Sequence, residues 1–117
     1  MDVSSAIDCF SALSQPTRLE AFRLLVRCEP EGLPAGEIAR RLVIPHNTMS
    51  AHLSVLDRAG LVFSRRQSRL VIYRANLDVM QETIKFLVRD CCADDPRVCE
   101  SLAASLNDRA SGCQADQ

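Results

Sequence analysis

Apolar residues recur along this chain at spacings that are helical at both ends and alternating in between. Val3, Ala6, Phe10 and Leu13 share one face of a predicted first helix over 3–13. Pro16 suits the first turn of a second helix, which has no use for that N–H. Leu19, Phe22 and Val26 follow at i, i+3, i+7. Glu29-Pro30-Glu31-Gly32 reads as a turn, and AGEIARRL (35–42) as a short third helix with Ile38 and Leu42 inward. Pro45 precedes a fourth helix in which Met49, Leu53 and Leu56 recur at i, i+4, i+7, and Gly60 ends it as a left-handed cap. The pattern then changes to alternation around Leu70, Ile72 and Tyr73, with Gln67-Ser68 near the tip of a hairpin. Leu77, Met80, Ile84, Leu87 and Val88 form a last helical stripe through residue 90. Beyond it, Val98, Leu102 and Leu106 suit a short helix, and 107–117 reads as disordered.

Four helices, a hairpin and a closing helix make a mainly α fold with a small β-hairpin. A short helix, a second helix buried on one side, and then a basic hairpin give a winged helix-turn-helix. Residues 1–92 form the folded unit, and 93–117 an acidic, partly disordered tail that holds Cys99 and Cys113. The apolar faces of 3–13 and 77–88 are too large for one small domain to hide, so a homodimer through the first and last helices is expected. No apolar run reaches membrane-spanning length and no leader is apparent, so a soluble cytoplasmic protein with no membrane partner is expected.

The net charge of −1 hides an asymmetry. Residues 37–75 hold seven arginines against Glu37 and Asp57, a balance of +5, whereas 1–36 carry −2 and 76–117 carry −4. A basic middle between acidic ends is the footprint of a localised polyanion site. The fourth helix faces outward with Asn47, Thr48, Ala51 and Ser54, short groups with no carboxylate, which suits the major groove of double-stranded DNA. His46 and Ser50 stand at the start of the same helix, Arg40 and Arg41 are available to phosphates from the helix before it, and Arg65, Arg66 and Arg69 arm the hairpin. His52 borders the buried face and reads as a structural histidine. No Ser–His–Asp, Cys–His or paired-carboxylate arrangement can be assembled, so the chain is not read as an enzyme and no organic cofactor is expected.

SQPTRLEAFRLL (14–25), AGEIARRL (35–42), PHNTMSAHLSVLDRAGLV (45–62) and RRQSRLVIYR (65–74) together resemble the ArsR/SmtB family of bacterial metal-responsive repressors. The resemblance spans roughly residues 8–90. It implies a homodimer that binds an inverted-repeat operator and releases it when a metal or metalloid binds. Many family members that sense soft metals carry a cysteine pair in the helix before the recognition helix; AGEIARRLV has none, which moves any sensing site elsewhere.

The six cysteines of a cytoplasmic chain stay reduced, and no CxxC pair exists. Cys91 and Cys92 are vicinal, and Cys99 follows after ADDPRV. Adjacent helical residues point roughly 100° apart, so both thiols grip one ion only where the helix ends or unwinds, as Asp94, Asp95 and Pro96 favour. Three thiolates with no histidine nearby suit trivalent arsenic or antimony as an inducer better than zinc, and the tail is similar to that of family members that sense arsenite. Cys91 also continues the apolar stripe from Ile84 and Leu87, the ordinary setting of a buried thiol. Cys9 and Cys28 sit in scaffold helices and are assigned to the core, and Cys113 is a candidate supplementary ligand. An alternative is a thiol redox switch on the same fold; a thiol enzyme lacks a phosphate or oxyanion loop ahead of any cysteine.

Overall fold

The computed structural model describes residues 1–91 together with Arg97, Glu100, Ala104 and Ser105, which are helical. The elements run α1 (Val3–Leu13), α2 (Pro16–Arg27), β1 (Leu33–Pro34), α3 (Ala35–Leu42), α4 (His46–Arg58), β2 (Val62–Gln67), β3 (Leu70–Ala75) and α5 (Leu77–Lys85), which continues as a π-helical segment, Phe86–Cys91. Of the expected short helix over 98–106, Glu100, Ala104 and Ser105 are helical and the rest lies outside the described residues, as do the tail reading of 107–117 and Cys92, Cys99 and Cys113. Among the described residues no helix is long and apolar enough to cross a membrane.

Local chemistry starts three of the helices. Asp2 accepts from the Ser5 N–H at 2.8 Å, the Gln15 side chain from the Arg18 N–H at 2.8 Å, and Asn76 from the Val79 N–H at 3.3 Å. Pro34 and Pro45 occupy the cap positions of α3 and α4, with no side-chain cap bond. Val43 closes α3 in the left-handed region (φ 56°) with its side chain 87% exposed. A β-branched residue is strained there, and solvent offers its methyl groups no packing in return.

The hairpin exists as read, with β2 and β3 paired from Val62–Ala75 to Gln67–Leu70 and its turn at Ser68 and Arg69. The sequence did not disclose a third strand. Leu33 and Pro34 pair with Tyr73 and Ile72, giving the antiparallel order β1-β3-β2. Gly32 makes that join possible: its φ is +74°, and a Cβ there would run into the Tyr73 carbonyl.

One core joins α1, α2, α3, α4 and the root of the hairpin. Leu25, Ile38, Met49, Leu53, Leu56, Leu61 and Val62 lie almost wholly within it. Burial defines the inward faces of α1 and α2. In α1 the inward residues are Ala6, Cys9 and Ala12, while Val3 and Ile7 are 62% and 58% exposed and Phe10 is half-buried. Small side chains win the inner face because they let α1 lie close against its neighbours. In α2 the buried set is Ala21, Phe22, Leu24 and Leu25, and Leu19 turns partly outward. In the closing helix Leu77 and Met80 pack on the core, Thr83 is buried with its hydroxyl donating to the Val79 carbonyl, and Ile84 and Leu87 are exposed.

Val43→Gly is expected to raise unfolding stability by about 1 kcal/mol, through release of left-handed strain, and Gly32→Ala to lower it. Urea unfolding at one fixed protein concentration measures both; a destabilised Val43→Gly contradicts the strain account.

Candidate nucleic-acid interface

Helix α4 is two-sided. Met49, Leu53 and Leu56 are fully buried, whereas His46, Asn47, Thr48, Ala51 and Ser54 are exposed and Ser50 is half-buried. Asn47 turns its amide oxygen onto the Thr48 N–H at 2.9 Å. The outward face therefore carries donors, acceptors and one methyl group without a carboxylate, the inventory that reads base edges.

Beside this helix the hairpin forms the second wall of a groove of about 370 Å³, lined by His46 and Ser50 on one side and Arg69, Leu70, Val71 and Tyr73 on the other. Alternation along β2 divides the hairpin's arginines. Arg66 pairs with Val71 and so shares the groove's face, whereas Arg65 pairs with Ile72 and points to the opposite face beside Phe63. All three are exposed, and among the described residues Arg65, Arg66 and Arg69 form no ion pair.

The remaining arginines of the basic stretch differ in availability. Arg40 and Arg41 are exposed, but both bind Glu37, with Nε–Oε distances of 3.0 Å each and a further short contact from Arg40. The two guanidinium groups hold the Glu37 carboxyl down to about 2 from its ordinary 4.5. These three residues thus offer one net positive charge rather than two. Arg74 lies half-buried on the same face of the hairpin as Phe63 and Arg65, donating to Glu29 at 3.0 and 2.8 Å and lying 5.2 Å from the centre of the Phe63 ring. It clamps β3 to the turn after α2. The spacing of Glu37 to Arg40 and Arg41, i+3 and i+4 on one helix, was legible in the sequence; the Glu29–Arg74 contact, 45 residues apart, was not.

The cysteines and His52 complete the placement. Cys9 is buried and its thiol donates to the Ala59 carbonyl at 3.5 Å, and Cys28 is half-buried with Arg41 at 3.9 Å, as expected of scaffold thiols. His52 is half-buried against Arg18. Cys91 ends the π-helical segment, and among the described residues no three His, Cys, Asp or Glu side chains gather as a metal site.

A helix backed by the core, exposed on a carboxylate-free face and flanked by an arginine-bearing hairpin defines a winged helix-turn-helix DNA-binding protein. Known proteins place it more closely. The family described as "Helix-turn-helix domain" matches residues 13–65. The transcriptional repressor SdpR of Bacillus subtilis is 30% identical over 79 residues, covering 68% of this chain and 84% of SdpR. Among solved structures, an ArsR-like transcriptional regulator from Rhodococcus sp. RHA1 is 29% identical with a TM-score of 0.68, covering 83% of this chain and 89% of that one. The homodimeric winged helix-turn-helix domain Mb0332 of Mycobacterium bovis is 27% identical with a TM-score of 0.61, covering 79% and 81%. The chain belongs to the ArsR-like family of helix-turn-helix transcriptional regulators.

Arg74→Ala is expected to lower the melting temperature, whereas Arg65→Ala, Arg66→Ala and Arg69→Ala leave it unchanged; equal melting of all four contradicts the division of roles. The Glu37 carboxyl titrates lower folded than unfolded, so its pairs contribute stability that is complete above pH 4.5 and lost as pH falls towards 2. Acid unfolding of Glu37→Gln should lack that part of the pH dependence, and an unaltered acid limb would contradict it.

Proposed function

We propose that the chain is a repressor that binds operator DNA as a homodimer and leaves it when trivalent arsenic or antimony binds cysteine thiolates. One observation carries the DNA reading: the outward face of α4 formed by Asn47, Thr48, Ala51 and Ser54 has no carboxylate and adjoins a groove whose far wall holds Arg69, which forms no ion pair among the described residues. In this reading Asn47, Thr48, Ser50, Ala51 and Ser54 meet base edges. His46, Arg66 and Arg69 hold the adjoining backbone, Arg40 and Arg41 reach the flanking phosphates from α3, and Arg65 approaches from the outer face of the hairpin.

The dimer reading rests on Val3, Ile7, Ile84 and Leu87, apolar side chains 43–62% exposed on the first and last helices. A twin packed there removes them from water, and the similarity to the homodimeric Mb0332 supports a dimer. Two recognition helices then face half-sites about one turn of DNA apart.

The inducer reading rests on Cys91, Cys92 and Cys99, soft donors clustered within nine residues. The closing helix leaves α geometry for a wider π turn at Phe86–Cys91, which takes in the first cysteine of the vicinal pair, a local unwinding that favours two thiols sharing one ion. Drawing Cys99 towards that pair reshapes the end of the proposed dimer helix and shifts the separation of the recognition helices. Coupling of about 1–3 kcal/mol reduces operator affinity roughly 5–150-fold.

Sedimentation is expected to give a dimer at micromolar concentration; a monomer contradicts the interface. Arg66→Ala and Arg69→Ala should each weaken binding to every sequence and flatten the salt slope by about one unit. Unchanged affinity and slope remove the wing from the interface. Under strict reduction, arsenite should release the operator from wild-type protein and not from the Cys92→Ser, Cys99→Ser double variant. Wild-type release of the double variant overturns the site, and release only by peroxide or diamide establishes the redox switch instead.

A further inference from the structure

Arg18 occupies the third position of α2, its backbone N–H donating to the Gln15 side chain. Its guanidinium reaches back to the end of α1, with Nε donating to the Ala12 carbonyl at 2.7 Å and Nη2 to the Ser11 carbonyl at 3.5 Å. No basic residue stands in the last turn of α1 itself, and the Ser11 carbonyl also accepts from the Ser14 N–H at 3.2 Å and the Ser14 hydroxyl at 2.7 Å. The remaining nitrogen, Nη1, stands 3.4 Å from Nδ1 of His52, midway along α4. Arginine only donates, so Nδ1 is the acceptor and the ring proton belongs on Nε2. One side chain therefore joins the end of α1, the start of α2 and the body of α4.

A second tie has the same partners. The Cys9 thiol of α1 donates to the Ala59 carbonyl, at the cap of α4. Beside these ties the two helices part in an open crevice of about 270 Å³, lined in part by Asp8, Ser11, Val55 and Arg58. The outer side of α1 carries the exposed Val3 and Ile7.

We propose that Arg18 and His52 form a positioning link that fixes the rotation of α4 relative to α1, coupling the outer face of α1 to the DNA-reading face. The inference rests on the DNA-reading role of α4 given above. Burial of Met49, Leu53 and Leu56 holds α4 down, but apolar burial has no direction. A small roll about the helix axis keeps those side chains covered while it swings Asn47 and Thr48 off their targets. A hydrogen bond to a ring nitrogen is directional and resists that roll. Arg18 is anchored on the carbonyls of α1, so any tilt of α1 at its outer face is passed to the recognition helix. His52 is a positioning residue in this account and touches no base.

The test measures affinity for operator and for random-sequence duplex with purified full-length protein, below the melting temperature of each variant. His52→Leu should weaken operator binding about tenfold and leave random-duplex affinity and salt slope unchanged, because α4 is folded but misaimed. His52→Asn places an acceptor where Nδ1 stands and should stay within about twofold of wild type, whereas His52→Gln places it farther out and should behave as His52→Leu. In an Arg18→Met background His52→Leu should cost less than about twofold, the mark of one shared contact. The link is overturned if His52→Leu costs the same in both backgrounds, if it lowers affinity for both duplexes equally, or if glutamine rescues and asparagine does not. That last result would make His52 a direct DNA contact through Nε2. Should His52→Leu not fold, the asparagine–glutamine comparison decides alone. Thr48→Ala separates the two levels: if it leaves operator affinity unchanged, the reading role of α4 fails, and if it weakens binding while His52→Leu does not, only the link fails.

Discussion

Met49, Leu53 and Leu56 are wholly withdrawn from water, and the rest of the molecule is arranged around that burial. Each such side chain contributes about 1.5–3 kcal/mol when taken out of water. Their helical spacing makes the contribution one-sided, which decides which side of α4 is inward without fixing its finer rotation: three apolar residues in, and Asn47, Thr48, Ala51 and Ser54 out. The other helices serve as the surface on which α4 rests. Small residues in α1, the inner side of α2, Ile38 of α3 and Leu61 and Val62 at the hairpin root supply it. An inward carboxylate or a shift of one residue in that spacing would turn the polar face away from solvent.

Charge is distributed with the same economy. The middle of the chain is rich in arginine, yet those arginines do different work. Arg74 holds the sheet to the turn after α2 through Glu29 and Phe63. Arg40 and Arg41 share Glu37, which keeps α3 intact and lowers the positive charge it presents. Arg65, Arg66 and Arg69 are exposed at the hairpin and form no ion pair among the described residues. A count of basic residues finds the region; only the pairing shows which of them are free for a ligand.

Much of this was legible in the sequence because it is local. The buried side of α4, the existence of the hairpin, the cap at Gly60 and the exposed basic turn follow from periodicity and turn chemistry that act over a few residues. The strand at Leu33–Pro34 was not legible, because two residues carry no period and their pairing is set by Tyr73 and Ile72 far along the chain. The inner face of α1 was legible only in part: Ala6 lay on the apolar stripe and Cys9 was assigned to the core, but the burial of Ala12 depends on close helix approach, and steric fit is a property of the neighbour. Arg18 was visible within the Pro-Thr-Arg-Leu string, but its bond to His52 spans 34 residues and depends on how α1, α2 and α4 meet.

The central claim is that the exposed side of α4 and the groove-facing side of the hairpin form one continuous surface for duplex DNA. Amide-resolved NMR of the protein titrated with its operator duplex tests it most directly. The account predicts that the largest shifts fall in residues 46–54 and 64–71, with α2 unaffected on its solvent side. Shifts concentrated on α2 or on the crevice between α1 and α4, with the start of α4 and the hairpin turn unmoved, would contradict it.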